Sequence, residues 1–190
     1  MIGKVVVDTL NGKGNVVVFT MPEQLNLVER QRGLTESFAG HPQLKISRVV
    51  DIQGDAKVAR DAADELATKS AGGVDAFVCL EAIACPEVAQ ALSEHHVVGK
   101  LVVAMDTDPR TLEDIKEGRI SATIAQKPYT MAYVGLRMLA DLNQAKPGNL
   151  DRPFARSSYS PIPLSIDTGV TLVNSENVAE FTNESAVAEK

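Results

Sequence analysis

Four polar side chains stand a short way beyond apolar runs: Arg30, Glu81, Asp106 and Gln126. Glu81 follows VDAFVCL (74–80), Asp106 follows KLVVAM (100–105), and Gln126 follows RISATIA (119–125). Arg30 lies in VERQRGL (28–34), after the run NVVVFT (15–20) and the connection containing Pro22, Glu23 and Gln24. Carboxylates accept hydrogen bonds, a guanidinium donates through a planar fork, and an amide does both. Together they suit a small, neutral, polyhydroxylated molecule held without covalent chemistry. Gln126 carries the most weight, because nothing about a turn before Lys127-Pro128 requires an amide there.

Each residue also has a plain structural use. Asp106 alone would serve as a turn cap before Asp108-Pro109. Glu81 alone would be a solvated loop residue. Arg30 and Arg32 share one helical segment, where an exposed charged face is the default for at least one of them. His41, His95 and His96 fall at helix ends and read as surface or capping residues.

Chemistry of other kinds has little support. There is no G-x-G-x-x-G, no G-x-x-x-x-G-K-[ST] and no G-x-S-x-G, and NGKG (11–14) precedes a strand rather than a helix. No Ser/His/Asp or Cys/His set is legible. Cys79 and Cys85 are too few for a disulfide scaffold and lack metal-site spacing, which leaves two buried thiols or one small local disulfide. We therefore expect no catalytic residues, no metal and no cofactor. A net charge of −6 argues against nucleic-acid binding, which needs a basic surface.

The elements that must position these residues alternate in type. Apolar runs at 15–20, 44–52, 74–80, 100–105 and 119–125 read as strands. Between them lie helical patterns at 23–39, 56–70, a segment beginning near Pro86, 108–116 and 128–142. In 56–70, Val58, Ala62 and Leu66 form one row, with Ala59, Ala63 and Ala67 beside it. In 128–142 the apolar positions are Met131, Val134, Met138 and Leu139. Single helices between short Val/Ile/Ala strands predict an α/β fold with a doubly wound parallel sheet. The tail from 143 holds four of the nine prolines and reads as an extended loop, then a strand at 170–173 and a short helix capped by Ser175.

VERQRGL (28–34), VVAMDTDPRTLEDIKEGRISATIAQKPYTMAYVG (102–135) and TGVTLVNSENV (168–178) closely resemble type I periplasmic sugar-binding proteins of the ribose-binding class. The ligand lobe of lac-repressor-type regulators is similar. The resemblance implies that Arg30, Asp106 and Gln126 hydrogen-bond sugar hydroxyls, with Gln126 at a crossing between two lobes. Where the family carries an Asn-Asp pair after the strand matching VDAFVCL, Glu81 is the nearest occupant here. Gln53-Gly54 stand near the place of a stacking aromatic.

Family members have two similar lobes, and this chain matches from GKVVVDTLNGKG onward, which implies that the N-terminal lobe is missing. Residues 1–127 would then be the C-terminal-lobe core, 128–167 a helix and proline-rich segment belonging to the absent lobe, and 168–190 a returning strand and helix. The implied role is the sugar-binding component of an ABC-type importer, closing an interlobe cleft over its ligand. Its partners would be a membrane permease and the missing lobe or a second chain. The alternatives are the ligand-binding domain of a transcription regulator and, less supported, a small enzyme using Asp106 or Glu81. The full-length parent would be periplasmic or lipid-attached outside the cell, although the chain as written carries no export signal.

Overall fold

β-branched and small apolar residues build the strands, because a parallel sheet buried on both faces has no place for an alternating polar side. The computed structural model describes residues 1–69, 73–145, 148, 162–163 and 165–182. Its strands are β1 (Lys13–Thr20), β2 (Gln43–Asp51), β3 (Ala76–Cys79), β4 (Leu101–Met105), β5 (Ala122–Ala125) and β6 (Thr171–Asn174). They form one sheet in the order β2-β1-β3-β4-β5-β6. β1 runs parallel to β2 and β3, β3 to β4, and β4 to β5.

Parallel neighbours need crossovers, and helices supply them. These are α2 (Leu25–Ser37), α3 (Ala56–Lys69), α4 (Ala84–Glu94) and α5 (Pro109–Lys116), with α1 (Ile2–Thr9) ahead of β1 and α6 (Pro128–Gln144) after β5. The doubly wound α/β expectation holds. The chain divides into two units, Met1–Ala125 with Leu172–Lys190, and Gln126–Thr171.

Within the first unit, alternation along each strand sorts side chains into two cores. Val17, Phe19, Phe77, Cys79, Val102 and Ala104 share a cluster with Ala59, Ala63, Val88, Leu92, Leu112 and Ile115 of α3, α4 and α5. Val16, Val18, Ala76, Val78 and Val103 face the other way, with Val6 of α1 and Leu27 and Leu34 of α2. The buried face of α3 is centred on Ala59, Ala63, Leu66 and Ala67, while Val58 and Ala62 sit half-buried at its margin.

One strand boundary shifts. The strand read at 119–125 begins only at Ala122, because the amides of Arg119 and Ile120 both donate to the Asp114 carbonyl in the turn that ends α5. α6 forms as a helix but buries none of its residues, and Leu136 and Leu139 are 68% and 65% exposed.

α3 and α4 are also joined by charge. Arg60 Nε donates to Asp64 at 2.9 Å, Arg60 also bonds Glu94, and His95 Nε2 lies 3.1 Å from Asp64. The Arg60 hydrogen bonds hold the Asp64 and Glu94 carboxyls below their ordinary values of 3.8 and 4.5. Carboxyls depressed in the folded state bind more protons when unfolded, so stability rises with pH through this window. It is retained above the ordinary values and lost as the pH falls towards the folded-state values. Urea midpoints are therefore expected to fall on acidification below about pH 4.5, and Arg60→Ala should flatten that fall. An equally steep fall in the variant would contradict the network's role.

Candidate functional site

In open parallel sheets the ligand edge is the carboxyl end of the strands, at the point where strand order reverses. Here the order reverses between β1 and β3. Arg30 reaches that point: its Nη1 donates to the Leu80 carbonyl, just past β3, at 2.6 Å. The Leu80 amide donates back to Phe19 of β1 at 2.9 Å, so β1, β3 and α2 are tied together there. Arg30 is half-buried, whereas Arg32 bonds Glu29 and Glu36 along the exposed side of α2. Of the two arginines, Arg30 is the one at the rim and Arg32 the solvated one.

Asp106 stands at the end of β4, the neighbour of β3. Its backbone is left-handed, with φ 67°, a conformation that Asp tolerates better than most residues. The amide of Asp106 donates to Ile124 of β5 at 2.9 Å, and its carbonyl accepts from the Thr123 hydroxyl at 2.7 Å. The first turn of α5 is capped instead by Asp108, which accepts from the Arg110 amide at 2.9 Å. Asp108, not Asp106, is therefore the N-cap of α5. Gln126 follows Ala125 of β5 directly, is half-buried and begins the second unit.

Glu81 has a different setting from the solvated loop first considered for it. It is 7% exposed, and its carboxylate accepts from the amides of Ile83 at 2.6 Å and Ala84 at 3.0 Å. Those amides belong to the unsatisfied first turn of α4, so Glu81 caps the helix and complements its positive end. Glu81→Ala is expected to cost about 1–2 kcal/mol of stability. Denaturant unfolding would show it, and an unchanged midpoint would mean that water replaces the cap without loss.

The cysteines resolve as two free, buried thiols. Burial pushes the Cys79 thiol well up, with Cys85 as its hydrogen-bond neighbour, which keeps it protonated and unreactive. His95 is the C-cap of α4, and His41 packs against Gly12, where an added Cβ would meet its Nδ1 at 2.5 Å. Among the described residues, no group of three His, Cys, Asp or Glu is placed to hold a metal ion. A groove of about 370 Å³ between α4 and α5 is lined by Glu94, Arg110, Glu113, Asp114 and Arg119, and its arginines are engaged in ion pairs, Arg110 with Glu87 and Arg119 with Asp114. A wider hollow of about 520 Å³ lies at the amino ends of β4 and β5, opposite the carboxyl ends of the strands. Sequence reading passes over Thr123, which looks like any β-branched strand residue. It also passes over Thr20 at the end of β1, whose buried hydroxyl has no hydrogen-bond partner among the described residues.

A family profile described as a periplasmic binding protein domain matches residues 1–147. The chain belongs to the periplasmic binding protein family. Among curated proteins, the D-allose-binding periplasmic protein of Escherichia coli K12 is 27% identical over 143 residues, covering 74% of this chain and 46% of that protein. Two solved structures are similar. An arabinose-binding protein from Geobacillus stearothermophilus has 31% identity and a TM-score of 0.79, covering 94% of this chain and 60% of that one. A sugar-binding protein of a sugar ABC transporter from Bacillus halodurans has 33% identity and a TM-score of 0.80, covering 94% and 61%.

This periplasmic binding protein chain thus spans about half the length of the curated relative it matches and some three-fifths of the solved ones. Its sheet is that of a type I lobe, and it represents part of the domain. The relatives are binding proteins rather than enzymes. Among the described residues no helix is long and apolar enough to cross a membrane. In this periplasmic binding protein Arg30, Glu81 and Asp106 lie at or against the βα turns of the first unit.

Proposed function

We propose that the chain is the sugar-gripping part of a solute-binding protein serving an ABC-type importer. The observation that carries this reading is the meeting of Arg30 with the end of β3, beside the left-handed Asp106 at the end of β4. One cation and one anion give a locally neutral rim, suited to hydroxyls that donate to Asp106 and accept from Arg30. Gln126, joined directly to the end of β5, supplies an amide that does both. Glu81 contributes by fixing the β3–α4 turn, with its carboxylate anchored on α4. A small sugar or related polyhydroxylated solute is the ligand, as for the allose- and arabinose-binding relatives. The parent protein works outside the cytoplasmic membrane, and its ligand-closed form is what a permease recognises.

The exposed residues of α6 fit the same reading. Tyr129, Tyr133, Leu136 and Leu139 lie near one face of that helix, and the two tyrosines stack at 6.3 Å. This surface belongs with the second lobe that relatives possess.

Tight sugar binding depends on burying most of the ligand. A chain of about half the relatives' length is therefore expected to bind D-allose and D-arabinose with dissociation constants of about 1 mM or weaker. Calorimetry showing micromolar affinity would overturn the half-site account. Preference for a charged or apolar solute over both sugars would overturn the sugar reading itself.

A further inference from the structure

We infer that Thr123 is the positioning residue for Asp106: its buried hydroxyl locks the left-handed backbone that takes the Asp106 carboxylate out of the strand's register. The inference rests on the proposed role of Asp106 in holding the ligand, but its structural half can be tested without one.

Strand alternation sets the problem. Val102 and Ala104 of β4 face the core under α4 and α5, and an extended residue 106 would follow them to that side. A carboxylate sent there would be driven towards Leu112 and Ile115, both 1% exposed. The chain avoids this by turning left-handed at Asp106, with φ 67°. Any non-glycine residue is strained there, and the conformation persists only when its surroundings over-determine it.

Two bonds from β5 do so. The Asp106 amide donates to the Ile124 carbonyl at 2.9 Å, which continues the parallel ladder one step past the strand's end. The Asp106 carbonyl then accepts the Thr123 hydroxyl at 2.7 Å. Thr123 is fully buried and pairs with Ala104 in the β4–β5 register, so its own backbone is fixed. The peptide before and the peptide after the left-handed Cα are thereby both held by adjacent β5 residues. Backbone–backbone pairing supplies the first restraint whatever the side chain, whereas the second requires a hydroxyl at position 123. Valine has the shape of threonine but no donor, while serine keeps the donor and loses a methyl.

The test uses NMR of the chain and of two variants, Thr123→Val and Thr123→Ser. In the wild type, Asp106 should show the strong intraresidue amide–Hα Overhauser effect of a positive φ. Thr123→Val should lose it and Thr123→Ser should retain it. Titration with D-allose, followed at the Asp106 amide, should show affinity roughly tenfold weaker in the valine variant and near wild type in the serine variant. If the valine variant keeps the positive-φ signature, the positioning role falls, whatever the sugar does. If the signature is lost but no wild-type amide near Asp106 responds to D-allose, Thr123 still positions Asp106 and the sugar reading fails instead. A serine variant that behaves like valine would show that packing of the methyl, not the hydroxyl, holds the turn.

Discussion

In a full-length parent that encloses its ligand, Asp106→Ala is expected to reduce sugar affinity by about a hundredfold or more while leaving the folded state intact. A carboxylate that accepts from two sugar hydroxyls makes charge-assisted hydrogen bonds, each worth about 1.5–3 kcal/mol. Losing two of them removes about two orders of magnitude or more in affinity. The residue is half-buried and stands at the end of β4, so its truncation opens no cavity. Relief of a left-handed non-glycine residue is not available to alanine, so a small stability loss is expected and not a gain. Asp106→Asn should fall between the two, keeping one acceptor but losing the charge. Titration with D-allose and D-arabinose, read beside thermal unfolding, separates the effects. Wild-type affinity in Asp106→Ala would remove Asp106 from the site.

The largest expected effect on stability comes from the middle of the sheet. Phe77 is fully buried in β3, opposite Val17 of β1 and Val102 of β4, and belongs to the core under α3, α4 and α5. Phe77→Ala removes a ring from a close-packed, two-sided interior and should cost about 3–5 kcal/mol. For a chain of this size that corresponds to a fall of roughly 6–20 °C in Tm. The strand also carries the turn in which Leu80 receives Arg30 and Glu81 caps α4. Loosening β3 should therefore disturb the rim as well as the core. Phe77→Leu, which refills much of the volume, should recover most of the loss. A Tm within a degree or two of wild type for Phe77→Ala would show that β3 is not the mechanical centre of the unit.

What could be read in advance follows from the range of the interactions involved. The strands were legible because double-sided burial leaves a local trace, an unbroken apolar run such as VVVF or LVVAM. The Asp108 cap is equally local, since it accepts from an amide two residues away. Glu81 was not, because a carboxylate after a strand looks the same whether it meets water or the amides of a helix. The Arg30 bond to Leu80 spans 50 residues and ends on a backbone carbonyl, which has no sequence signature. The left-handed turn at Asp106 was hidden by its neighbour, since Asp106 and Asp108 both resemble caps and only the backbone separates them. α6 illustrates the reverse. Its helical period was plain, but a period does not reveal whether the partner surface lies in the same stretch of chain.

A hydroxyl-rich solute is proposed to be gripped by Arg30 and Asp106 at the carboxyl ends of the strands, with Gln126 following β5. Mapping amide shifts across the chain during titration with D-allose and D-arabinose tests it most directly. Asp106, Gln126 and the Leu80–Glu81 turn beside Arg30 are expected to respond together, in one saturable curve. Responses confined to the α4–α5 groove or to the amino ends of the strands, with that rim silent, would contradict it.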